Sequence, residues 1–225
     1  MTTTRVYKLT KPDLTTYNGF QYVPGQTYTF PGTGELCGPG WSHAYTSPQL
    51  ALLLNPIHGN YTPCRLWEAE GVVGATDLGL KIGCSTLTLR REITVPEVTT
   101  EQRVTFAISC ALAVYTVPAF SAWTAAWLSG EDRTEAAAEA ARAAAGAAAW
   151  AAWAAEAARA AAWAAAWAAE AARAAGAAAG AAWAAAWAAA EAARAAGAAA
   201  RAADGAADRV NLDALADAAL LPWAP

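Results

Sequence analysis

Charge is scarce in this chain of 225 residues: Asp, Glu, Lys and Arg make up 15% of it, and the net charge is −4. No basic run occurs, which excludes nucleic-acid binding through a charged stripe. Leu, Ile and Val all but vanish between residue 130 and Val210, so nothing there can build an ordinary aliphatic core. The opening MTTTRVYKLT has no apolar core segment, and a signal peptide is not expected. The longest uncharged run, Ala174 to Ala190, only reaches the length a bilayer demands and is mostly Ala with Gly176 and Gly180. No membrane span is expected from it. There is no P-loop, G-x-G-x-x-G, G-x-S-x-G or H-E-x-x-H. Cys37, Cys64, Cys84 and Cys110 form no C-x-x-C pair and lack the spacing zinc requires. Reduced structural thiols are expected, with no metal and no cofactor.

What is present divides near residue 130. Residues 1–130 have ordinary globular usage and read as a small α+β domain. Arg5–Leu9 predicts a strand, and Phe20–Val23 and Gln26–Phe30 around Pro24-Gly25 predict a hairpin. Ser47-Pro48 opens a helix through Leu54 that Asn55-Pro56 should stop. Cys64–Glu70 and Thr86–Ile93 read as strands with a turn near Gly71–Gly79. Thr99 and Gln102 make a capping box for a helix through about Tyr115, whose Val104, Ile108, Ala111 and Leu112 should pack on the sheet. A helix from Pro118 should stop at Gly130.

Residues 131–225 predict a long Ala-rich all-α region, coiled-coil-like or a helical bundle hinged at glycines. Ala137, Ala144, Ala151, Ala158, Ala165 and Ala172 belong to one unbroken heptad column that continues to Ala207, and Ala140, Ala147, Ala154, Ala161 and Ala168 belong to a second. Charges avoid both. That spacing of small residues is the pattern of a close helix–helix seam. Glu156, Glu170 and Glu191 each precede an Arg by three residues, which adds a few tenths of a kcal/mol per pair. Six indoles (Trp150, Trp153, Trp163, Trp167, Trp183 and Trp187) would expose roughly 1,200 Å² if left in water. They are the expected interaction residues, buried against protein. The partner implied is protein, through self-association of the Ala-rich helices.

One constellation in the first domain resembles chemistry. His43 and Tyr45 follow Gly38-Pro39-Gly40, whose backbone can approach a ligand closely, and Glu68 and Glu70 lie on a later strand. His beside carboxylates suits acid–base work. The alternative is a hydrogen-bonded histidine that shapes a loop. Asp77 and Lys81 fit either picture, and His58 reads as a loop residue.

The run Gly19-Phe20-Gln21, Glu35-Leu36-Cys37, Gly40-x-x-His43-Ala44-Tyr45-x-x-Pro48 and Trp67-Glu68-Ala69-Glu70-Gly71 resembles a domain of unknown function found in bacteriophage and actinobacterial proteins. The resemblance spans roughly residues 5–135. It implies a phage or prophage origin, and with it a host-cytoplasmic or virion-associated location, but no activity. A weaker similarity is to ADP-ribosyltransferases. Those enzymes carry a catalytic Glu on a late strand, where Leu78–Ile82 here offers Lys81. The leading expectation is therefore a non-enzymatic structural or interaction protein. The alternative is a small-molecule or nucleotide binder, or a degenerate ADP-ribosyltransferase-like protein, using the His43 cleft.

Overall fold

The strands are β1 (Thr4–Thr10), β2 (Thr27–Thr29), β3 (Ser42–Ala44), β4 (Arg65–Asp77) and β5 (Lys81–Ile93). The computed structural model of the protein describes residues 2–151, 156–173, 183–192, 194–195 and 210–220. Its strands form one antiparallel sheet in the order β1-β4-β5-β2, with β3 also paired to β5. β4 and β5 are each 13 residues long and dominate it. The chain turns between them at Leu78 and Gly79, both at positive φ, where glycine is the residue that adopts the angle without strain. Past β3 the backbone reaches β1, where Tyr7 and Tyr45 exchange two N–H···O bonds of 2.9 Å. The sheet therefore curls back on its first strand.

Several local expectations are corrected. β4 does not stop before Gly71 but runs on through Gly74, with register irregularities at Glu68/Ala69 and around Val73. Glycine serves packing here. A Cβ on Gly71 would lie 2.8 Å from the Cys84 sulfur, and one on Gly74 would lie 2.7 Å from the Trp41 ring. No hairpin forms around Pro24-Gly25. Thr27–Thr29 pairs with Thr86–Thr88 instead, a long-range contact that local turn chemistry does not report.

The helix α1 (Pro48–His58) is capped as expected, Ser47 Oγ accepting from the Leu50 N–H at 3.2 Å. It continues through Pro56, however. Its exit is organised by Asn55, whose carbonyl accepts from Gly59 and whose side chain bonds Tyr61 at 3.0 and 3.1 Å. The first core joins Val6, Tyr22, Ala44, Trp67, Ala69, Ile82, Cys84, Leu87 and Leu89, all buried.

The chain folds as two compact units: Met1–Glu97 with Leu220–Pro225, and Val98–Ala219. The composition shifts near residue 130, but the division in space falls at Glu97/Val98. The second unit contains α2 (Thr100–Leu112), α3 (Pro118–Ser129), α4 (Glu135–Ala151), α5 (Glu156–Arg173), residues 183–192 in helix, and α6 (Leu212–Ala219). The Thr99/Gln102 capping box is formed, and Gly130 ends α3 in the left-handed conformation.

The expected long Ala-rich all-α region is overturned, since the described alanine residues form short helices. α4 and α5 run antiparallel, because Arg173 at the end of α5 pairs with Glu135 at the start of α4, and Arg142 with Glu170. A two-sided seam is overturned as well. On α4 the column residues Ala140, Ala144 and Ala147 are exposed, and Ala138 and Ala145 are buried instead. On α5 the column residues Ala161, Ala165, Ala168 and Ala172 are buried, but so are Ala162, Ala164, Ala166, Ala169 and Ala171. α5 is enclosed on nearly every face, which only side chains of methyl size permit at such density. Of the α2 residues expected to face a core, Val104, Ile108 and Ala111 join the Ala residues of α4 and α5 in one cluster.

Candidate functional site

A cavity of about 410 Å³ opens in the first unit, within the range of small-molecule sites. The sequence places its groups through alternation. Val6, Lys8 and Thr10 share one face of β1, and that face is buried. Lys8 is thus a cation at a core position, 7% exposed. Its Nζ donates to the His43 carbonyl at 2.5 Å and lies 5.4 Å from the centre of the Tyr22 ring. Burial lowers its pKa to about 8, against which the nearby Cys84 acts weakly. Tyr22 is held by Ser42, with 2.7 Å between the hydroxyl oxygens, and burial pushes its phenol up to about 12.

His43 lies on the face of β3 opposite Ser42 and Ala44 and also lines the cavity. Its Nε2–H donates to the Leu36 carbonyl, so Nδ1 is the free acceptor of the neutral ring. Burial lowers its pKa. The bond to Leu36 opposes that shift, and the charges of Lys8 and Lys81 add to it. Tyr45 and His58 form a second polar pair, rings stacked at 5.8 Å with 3.2 Å between the hydroxyl and Nδ1. Burial raises the Tyr45 phenol. Lys81, at the start of β5, donates to the Cys37 sulfur at 3.1 Å beside Gly38 and Pro39.

His43 and Tyr45 therefore meet in one concave site, but the carboxylates do not join them. Glu68 and Glu70 alternate with Trp67 and Ala69, so they point away from the core that those two residues fill. Glu68 pairs with Arg5 and Arg91, and Glu70 with Arg90, on the outer face. Asp77 is not part of the cavity wall either. No Asp or Glu lines the cavity among the described residues, whereas two lysines and two histidines do. Lys8, His58, Tyr22 and Tyr61 are site residues that sequence reasoning missed. The one available signal was a lysine at an inward position of a strand.

The interaction residues divide. Trp163 and Trp167 are partly buried against the Ala-rich core. Trp183 is 45% exposed, stacked on Trp187 at 5.5 Å and edge-on to Trp167 at 5.7 Å. Trp153 and the side chain of Trp150 lie outside the described residues. Among the described residues, no group of acidic, His and Cys side chains is placed to hold a metal ion, and no helix is long and apolar enough to cross a membrane.

Residues 4–101 match a family model described as a domain of unknown function, DUF7666. The match ends within the first turn of α2, so it covers the sheet, α1 and the whole cavity and leaves out the Ala-rich helices. No curated protein and no solved structure matches the chain.

Proposed function

We propose that the protein is a non-enzymatic binding protein whose head takes a flat organic anion of nucleotide size. One observation carries this reading: a cavity walled by aromatic rings presents Lys8, Lys81, His43 and His58 and no carboxylate among the described residues. A buried, unpaired cation costs stability, and such a group retained in a cleft marks a binding site. Acid–base catalysis that pairs His43 with Glu68 or Glu70 is disfavoured because both carboxylates face outward. The test is calorimetric titration of the full chain with AMP and with adenosine. The reading requires saturable binding of AMP, weakened about tenfold in Lys81→Met for one lost charge contact. Equal affinity for adenosine, or none for AMP, contradicts it.

A second reading has its own observation. Trp183 exposes 45% of its surface within an indole cluster, which supports docking of a protein partner or of a second copy on the helical unit. Solution mass with and without Trp183→Ala checks it. A phage or prophage origin is part of the same proposal and rests on the resemblance of Gly40 to Pro48 and Trp67 to Gly71 to a domain of bacteriophage and actinobacterial proteins. A host-cytoplasmic or virion-associated location follows from that origin.

A further inference from the structure

We propose that Lys8 captures a carbonyl compound as an imine, so that the ligand of the head is an anionic aldehyde or ketone. This deepens the cavity reading and rests on it. Lys8 stands on a buried strand face, lines the cavity, and pairs with no carboxylate among the described residues. Its Nζ donates to one carbonyl oxygen and lies over the face of an aromatic ring. Both contacts leave the nitrogen with hydrogens to lose and no counter-ion to hold it charged. Desolvation favours the neutral amine, whose lone pair is the nucleophile. An exposed lysine at neutral pH is almost wholly protonated and lacks that lone pair.

The chemistry balances without an oxidant or a metal. The amine lone pair attacks the carbonyl carbon, the C=O π bond opens, and a carbinolamine forms. The nitrogen then gives up its two hydrogens, the oxygen takes them and departs as water, and a C=N bond remains. One amine and one carbonyl become one imine and one water. Lys81 and the two imidazoles are left to face the anionic part of the ligand, while the rings of Tyr22 and Tyr45 flank its flat part.

The probe is pyridoxal 5′-phosphate, which carries an aldehyde, a flat ring and a phosphate. Pyridoxine 5′-phosphate, its alcohol counterpart, is the control. The full chain is incubated with the aldehyde, reduced with borohydride and mapped by peptide mass spectrometry. Lys8, Lys11 and Lys81 are its lysines. The expected result is a reduced adduct at Lys8, formed at least about tenfold faster than at Lys11 or the amino terminus because the cavity holds the aldehyde against Lys8. The control compound should suppress it, and Lys8→Met should remove it. An adduct at Lys81, or one spread evenly over the amines, overturns the proposal. Binding of pyridoxine 5′-phosphate without a Lys8 adduct overturns the imine and leaves the cavity reading standing. Binding of neither compound overturns both.

Discussion

The two units solve packing in opposite ways. The head encloses its core with large residues, Leu87, Leu89, Trp67 and Tyr22 among them, and places a cation among them. The helical unit surrounds α5 with methyl groups and carries its charges on the surface, in pairs such as Glu139–Arg142 and Glu170–Arg173. Large irregular side chains can leave a cavity between them, whereas methyl groups on closely approaching helices leave little room for one. The head therefore holds the candidate site, and the helical unit offers a surface.

This contrast can be broken first by deleting atoms from the head. Leu87→Ala, at a fully buried position, should cost about 2–5 kcal/mol in chemical denaturation. A cost near zero would mean that the head is loosely packed.

The helical unit should instead fail by addition. Ala168→Leu in the enclosed α5 should cost about 1–3 kcal/mol. Ala144→Leu, on an exposed face of α4, should shift stability by less than about 0.5 kcal/mol. Equal melting shifts for the two would contradict the enclosure of α5.

Lys8→Met sharpens the comparison from the other side, because a buried cation destabilises the state that holds it. Its pKa falls from 10.5 to about 8 on folding, so the folded chain gives up its proton sooner than the unfolded chain. Below pH 8 both states carry the charge and the penalty is complete, about 3 kcal/mol at 1.36 kcal/mol per pKa unit. Between pH 8 and 10.5 the penalty fades as pH rises. The variant should therefore melt higher than the parent at pH 7, with the gap closing by pH 10.5. A destabilised variant at pH 7 would contradict the burial of the charge.

The smallest effect belongs to the outer face. Glu70→Gln breaks an exposed pair with Arg90 and should change stability by no more than about 1 kcal/mol, with ligand binding unaltered. Loss of binding in that variant would return the carboxylates to the site.

Short-range signals carried much of the fold into the sequence. The Ser47 and Thr99 caps, the Gly130 stop and the first strand are each set by residues within a few positions of one another. Long-range pairing was not legible. Nothing near Thr27 announces Thr88 as its partner, and nothing near Gly71 shows that the Cys84 sulfur will crowd it. The Ala columns misled for a related reason: heptad spacing says which residues share a face, but not how many neighbours that face will have. At the site, His43 and Tyr45 were visible beside the glycines. Lys8 and His58 were not, because each reaches the site from an element far in sequence from the others, and the acidic residues that looked like partners of His43 alternate to the other side of β4.

The chain has two histidines, His43 and His58, and both line the cavity. Imidazole NMR of the full-length protein therefore reports on this site alone. During titration with AMP both ring C–H resonances should move and saturate together, while adenosine leaves them largely in place. If AMP moves neither resonance, the head does not bind a flat organic anion in this cavity.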